Sequence, residues 1–191
     1  MRLKDQHKQR AIVRAVLDLT NEKGLAGLKM SELARRAGVA TGTLYTYFED
    51  KQDLLLSVNR SVREGGASYL NERMTEATAT TDRLRDFITV YSDYVGANYE
   101  AILFVDLLKR SPYMTDAART ETLENYRFLV NLIEAGIEEG TIVDDDSEVL
   151  LHIIDSVIKG IIGQQFERSG SYDPGGRDAI MNYAWAAIAK R

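Results

Sequence analysis

The stretch Gly38-Val39-Ala40-Thr41-Gly42-Thr43-Leu44-Tyr45-Thr46-Tyr47-Phe48 carries the hydroxyls of Thr41, Thr43, Tyr45 and Tyr47 within one short run, with only Val39, Leu44 and the small Ala40 as aliphatic anchors. Such a cluster is equipped to hydrogen-bond a partner. The resources for catalysis are sparse. No cysteine is present, which excludes disulfides, thiolate metal sites and a cysteine nucleophile. Only His7 and His152 supply imidazole, and neither a glycine-rich phosphate loop after a strand nor a His-Glu-x-x-His pair occurs. The run Asp144-Asp145-Asp146 lacks the alternating spacing and central glycine of a calcium loop and is expected to cap a helix. Glu138-Glu139 reads as an exposed helix end. No catalytic residue, no metal and no cofactor is therefore expected, and the chain does not read as an enzyme.

The chain has 191 residues, 45% of them hydrophobic, enough to bury a real core. Net charge is −5, but its distribution is uneven. Residues 1–60 hold eleven Lys and Arg against seven Asp and Glu, and the remainder holds thirteen against twenty-two. A basic head on an acidic body is the footprint of a small polyanion-binding module joined to a larger domain. The N-terminus is charged throughout and does not read as a secretory signal. The longest apolar-rich run, 149–162, is interrupted by His152, Asp155, Ser156 and Lys159 and falls short of the roughly 20 residues a bilayer requires. No membrane association and a cytoplasmic location are expected.

Only Pro112 and Pro174 interrupt the chain, and alternating Val/Ile-rich segments are missing, so an all-α fold of about nine helices is expected. The first spans about 4–23 and stops at Gly24. Two short helices, 30–37 and 41–47, flank Gly38-Val39. A fourth begins at Asp50, with Asp53 as its capping-box partner, and runs to about 73 with a bend at Gly65-Gly66. A polar linker, 76–82, leads to the fifth (83–95), and the sixth (99–110) ends at Ser111-Pro112. The seventh runs from 115 or 116 to 139, stopping at Gly140. The eighth (147–168) and ninth (177–190) are separated by the loop SGSYDPGG.

Two short helices joined by a glycine turn after a longer one form a helix-turn-helix. Leu33, Ala37, Val39 and Leu44 can share one small core, Ala34 permits a close helix crossing, and Gly38 accepts positive φ at the turn. With Leu44 inward, Thr41, Thr43 and the tyrosines face outward. The segment SELARRAGVATGTLYTYFEDKQDLL resembles the DNA-binding head of the tetracycline-repressor (TetR) family of bacterial transcriptional regulators, in register over about residues 9–56. The resemblance implies that Thr41, Gly42 and Thr43 lie at the floor of the major groove. It further implies that Tyr45, Tyr47 and Lys51 contact phosphates and so fix register. Lys29 stands where the family more often has threonine, and its amine is a candidate replacement as phosphate donor. Residues 1–50 are accordingly read as the helix-turn-helix domain and 51–191 as a ligand-binding and dimerisation domain.

In the eighth helix His152, Asp155, Ser156 and Lys159 form one polar stripe on an otherwise apolar surface wide enough for two partners. One is the domain's own core, the other a second copy. The eighth and ninth helices of two chains would form a four-helix bundle, and such a homodimer would present two recognition helices to a palindromic operator. Tyr91, Tyr94, Phe104, Leu108, Tyr126, Leu129 and Ile133 are candidate walls of a small-molecule effector pocket, with His152 and Asp155 as polar recognisers if their stripe faces inward. The reading is a ligand-responsive regulator, a repressor by the family's commoner behaviour, released from DNA by its effector. The alternative is a helical small-molecule-binding protein without specific DNA binding.

Overall fold

A computed structural model describes residues 2–75 and 79–190. Among them the chain forms α1 (Arg2–Gly27), α2 (Met30–Ala37), α3 (Thr41–Tyr47), α4 (Lys51–Arg73), α5 (Thr80–Ala97), α6 (Tyr99–Lys109), α7 (Asp116–Asn125), α8 (Arg127–Glu138), α9 (Ser147–Ser169) and α10 (Arg177–Ile188). A short 3-10 turn, Pro174–Gly176, precedes α10. Apart from a single antiparallel bridge between Ile142 and Ala189, the described residues hold no β-structure. The all-α expectation is met. Of the expected linker 76–82, residues 76–78 lie outside the described residues.

Two compact units divide the chain, one of residues 1–64 and 100–121, the other of 65–99 and 122–191. The first unit is larger than a head of residues 1–50, because the first part of α4, most of α6 and the start of α7 belong to it. Its core gathers Ile12, Val16 and Leu19 of α1, Leu33 and Ala34 of α2, Leu44 of α3, Leu54, Leu55 and Val58 of α4, and Phe104 and Leu108 of α6. Burial of this kind contributes roughly 1.5–3 kcal/mol for each large aliphatic side chain and holds helices too short to stand alone.

Local signals set the helix ends here. α1 changes course at Gly24, whose φ of 69° and ψ of 172° are non-helical, and resumes for one more turn to Gly27. Asp50 accepts the Asp53 amide at 2.8 Å, and the Asp53 carboxylate accepts the Glu49 amide at 3.0 Å, a reciprocal cap on α4. Bidentate pairing of Arg36 with Glu22, at 2.6 and 3.0 Å, ties α2 to α1. That hydrogen bond holds the Glu22 carboxyl below its ordinary pKa.

In the second unit α5 packs against α8, α9 and α10, and α9 against α8 and α10. Leu150, Ile154, Ile158 and Ile162 recur every four residues on the buried stripe of α9. They meet a core that includes Leu84, Phe87, Ile88, Leu129, Ile133, Ile180, Ala184 and Ile188. α9 is long and apolar enough by composition to cross a bilayer, yet this stripe belongs to the core. Asp146 caps it, accepting the Glu148 and Val149 amides at 2.9 and 3.0 Å, as the acidic run led one to expect. The chain's end is clipped by Val143 N–H to Ile188 C=O at 2.9 Å and Lys190 N–H to Thr141 C=O at 3.0 Å.

The seventh helix departs from expectation. The single seventh helix is instead α7 and α8, interrupted at Tyr126, whose φ of −113° and ψ of 11° are not helical. The interruption brings the Tyr126 hydroxyl to within 3.3 Å of where a Cβ on Gly66 would stand. This makes ten α-helices among the described residues where about nine were expected. α4 runs through Gly65-Gly66 to Arg73 as expected of the fourth helix, and the boundary between the two units falls at Gly65. Gly66 is tightly packed: a Cβ there would approach the Tyr94 ring to 3.1 Å, so the ring would have to give by a few tenths of an ångström.

α2 begins without a side-chain cap. Its N-cap residue, Lys29, has extended backbone (φ −110°, ψ 133°) that a capping serine also adopts, but lysine offers no acceptor to the exposed amides. Lys29→Ser should raise the unfolding free energy by about 1 kcal/mol. A urea titration followed by circular dichroism reads this as a higher midpoint; an unchanged midpoint would show that the missing oxygen is not what limits α2.

Candidate nucleic-acid interface and effector residues

The interface starts from the turn. Gly38 adopts the left-handed region (φ 68°, ψ 31°) and donates its N–H to the Ala34 and Arg35 carbonyls, closing α2. The Val39 amide then bonds Ala34 C=O at 2.9 Å, which turns the chain back at once. α3 follows with seven residues, of which Leu44 alone is buried. Because Leu44 points into the core of the first unit, Thr41, Gly42, Tyr45 and Thr46 are exposed, while Thr43 and Tyr47 are half-buried at the flanks. Tyr45 is 56% exposed, unusual for so large a ring. Thr46 returns its hydroxyl to the Gly42 carbonyl at 3.0 Å. Tyr47 lies beside Phe48, ring centroids 6.3 Å apart.

Gly42 is informative because nothing inside the chain needs it. A Cβ there meets no neighbouring atom within 4 Å among the described residues, and a helical glycine costs about 1 kcal/mol relative to alanine. The bare backbone is a surface open to close approach.

Cationic groups flank this face. Lys29 is exposed at the start of α2. Lys51, first residue of α4, is half-buried, and its ammonium donates to the Leu25 carbonyl at 2.7 Å while standing 5.2 Å from the centre of the Tyr113 ring. An ammonium has three donors, so one acceptor does not exhaust it. Neither this anchoring nor the participation of Tyr113 was visible from the sequence; Pro112, which fixes the turn carrying Tyr113, was the available signal.

The candidate effector residues are divided. Phe104 and Leu108 are fully buried in the core of the first unit. The others belong to the second, where Leu129 and Ile133 are core residues and His152 is exposed. Asp155 accepts the Tyr91 hydroxyl at 2.6 Å and pairs with Lys159 at 3.0 Å, so the polar stripe parts company: Asp155 and Lys159 turn towards α5 while His152 and Ser156 face outward. Tyr91 also stacks on Phe87 at 5.5 Å. Tyr94 and Tyr126 converge over Gly66, Tyr69 packs on Tyr94 at 5.3 Å, and the Arg73 guanidinium lies 3.9 Å from the Tyr69 ring centre. The sequence reading missed Gly66, Tyr69 and Arg73 as neighbours of this aromatic group. Burial raises the Tyr94 phenol to about 12.

A helix-turn-helix with an outward hydroxyl face, attached to a separate helical body, defines a DNA-binding transcriptional regulator. Residues 12–58 match the model of bacterial regulatory proteins of the tetR family, and residues 67–189 match the tetracyclin repressor-like C-terminal domain. The chain belongs to the TetR family. The fatty acid metabolism regulator protein of Bacillus subtilis (strain 168) is 26% identical over 137 residues, 71% of each chain. The regulator BetI of Vibrio campbellii is 25% identical over 170 residues, 88% of this chain and 82% of that one. In fold, a TetR family transcription regulator from Marinobacter aquaeolei VT8 superposes with a TM-score of 0.88 at 22% identity, covering 100% of both chains. FadR from Bacillus subtilis in complex with stearoyl-CoA superposes at 0.74 and 21%, covering 94% of this chain and 98% of that one.

The raised Tyr94 pKa has a consequence for stability. The unfolded phenol ionises near 10 and the folded one near 12, so this contribution is complete below pH 10 and is lost as pH rises towards 12. Urea unfolding of the wild type should therefore weaken more steeply across that window than that of Tyr94→Phe. Equal slopes would show that Tyr94 ionises as an ordinary surface tyrosine.

Proposed function

We propose that this regulator is a repressor that binds a palindromic operator as a homodimer and leaves it when a small-molecule effector binds the helical body. The observation that carries the DNA reading is the outer face of α3, a short helix with open space beside its glycine and an exposed Tyr45 ring. Thr41, Gly42 and Thr43 form the floor of the contact with base edges, and Tyr45, Tyr47, Lys51 and Lys29 hold phosphates. We read residues 1–50 as the DNA-contacting domain and the rest of the chain as serving effector binding and dimerisation.

The dimer reading rests on α9 and α10. Tyr183 is 66% exposed and Val149 48%, and Ile153, Val157, Ile161 and Trp185 beside them are half-exposed. Surface of this kind fits a second copy, whose own α9 and α10 would complete a four-helix bundle. Two heads would then read half-sites about 34 to 36 Å apart. Acting on DNA, the protein works in the cytoplasm.

For the effector, the stearoyl-CoA in the Bacillus subtilis FadR structure and the fatty acid regulator among the relatives favour an acyl chain or its coenzyme A thioester. Tyr91, Tyr94, Tyr126, Leu129 and Ile133 offer the apolar and hydroxyl-bearing surface such a molecule needs, with Asp155 as a polar neighbour. His152 would contribute only at the outward face. Release follows if the effector prefers the state in which the heads do not fit DNA, and the two affinities are then reciprocally linked.

Selection of bound duplexes from a random DNA pool tests the proposal. A recovered palindrome supports it; recovery without any preferred sequence, from protein stripped of bound small molecules, points instead to a helical small-molecule-binding protein. On the selected duplex, Tyr45→Phe should weaken binding to all sequences alike and Thr43→Ala should alter preference among them, each by about 1 to 3 kcal/mol or less. Equal, sequence-blind losses in both variants would contradict this division of labour.

A further inference from the structure

We propose that Tyr113 is a positioning residue for DNA binding, holding the Lys51 ammonium in place through the face of its ring. The inference rests on the reading of Lys51 as a phosphate contact. A free lysine side chain carries about 2 kcal/mol of rotamer entropy, which must be surrendered when the ammonium docks on a phosphate. In this structure most of that freedom is already gone. The Leu25 carbonyl holds the ammonium at 2.7 Å, and the face of the Tyr113 ring lies 5.2 Å from it. Two of its three donors remain for a phosphate, and Lys51 is the first residue of α4, where the helix dipole also favours an anion.

Tyr113 is itself held by the elements around it. It follows Pro112 at the end of α6, and its carbonyl accepts the Gln52 side-chain amide at 3.2 Å. Arg60 reaches Glu121 at 2.7 Å further along, so α4 is fastened to the α6–α7 segment at two points about two turns apart. Asn21 donates to the Glu100 carbonyl at 3.2 Å and Arg14 pairs with the Glu100 carboxylate at 3.0 Å, which fastens the start of α6 to α1. The ring that steadies Lys51 thus sits on a connector bonded to both α1 and α4. A shift of that connector changes the phosphate contact without any change in α3.

A double-mutant cycle separates this role from a structural one. Binding of a fluorescein-labelled duplex of random sequence is measured at several salt concentrations for the full chain. Tyr113→Leu keeps apolar bulk but removes the ring, and should weaken binding by about two- to five-fold. In a Lys51→Met background the same change should have no effect. Tyr113→Phe should bind as the wild type in both backgrounds, since it keeps the ring and loses only the hydroxyl. If Tyr113→Leu does not fold, Tyr113→Trp serves: its stronger ring should tighten binding in the wild-type background and leave Lys51→Met unchanged. Equal effects of Tyr113 variants in both backgrounds, or none in either, would overturn the proposal. Failure of the underlying reading looks different, because Lys51→Met alone would then leave affinity and salt slope at wild-type values.

Discussion

The burial of one leucine underlies the outward face of α3, the surface proposed to meet DNA. α3 is seven residues long, well below the roughly 12–15 at which an isolated helix becomes even marginal in water. Its only buried side chain is Leu44, fully enclosed in a core that α1, α2, α4 and α6 supply. A buried leucine is worth roughly 1.5–3 kcal/mol by area, so this contact sets both the existence of the helix and its rotation. Rotation is what matters for function: with Leu44 inward, the 100° step per residue leaves Thr41, Gly42 and Tyr45 on the outside. The Gly38 turn fixes the direction from which the helix leaves α2. A wrong turn residue there would misaim every contact at once.

Much of this was legible from sequence because the head is built from local rules. Gly38 at the turn, Ala34 at the crossing, Leu44 inward and the Asp50–Asp53 cap each depend on residues a few positions apart, and the structure has them as the spacing implied. The body was less legible where long-range packing overrode propensity. Nothing in the run through Tyr126 signals a helix break; at the break that tyrosine converges with Tyr94 on Gly66, some sixty residues earlier in the chain. The same packing is tight at Gly66 and leaves Gly65 as the residue with space around it. Phe104 and Leu108 look, at helical spacing, like any aromatic and aliphatic pair, and only the tertiary arrangement assigns them to the core of the first unit.

The polar stripe of α9 shows a further limit of periodicity. Spacing places His152, Asp155, Ser156 and Lys159 on one side, yet the partners on α5 decide how each is used. Tyr91 takes up Asp155, which in turn holds Lys159, while His152 and Ser156 remain outward. Lys51 is the counterpart in the head. Sequence marks it as a cation at a helix start, but the carbonyl of Leu25 and the ring of Tyr113 turn a flexible charge into a held one.

The central claim is that the outer face of α3, with the start of α4 beside it, is the surface that meets DNA. Amide hydrogen exchange of the protein with and without a selected duplex tests it directly, because exchange reports which backbone is covered or stabilised. Slowing centred on residues 41–48 and 51–53 is the result predicted. Unchanged exchange in α3, with slowing confined to 122–190, would contradict it and locate DNA contact on the helical body.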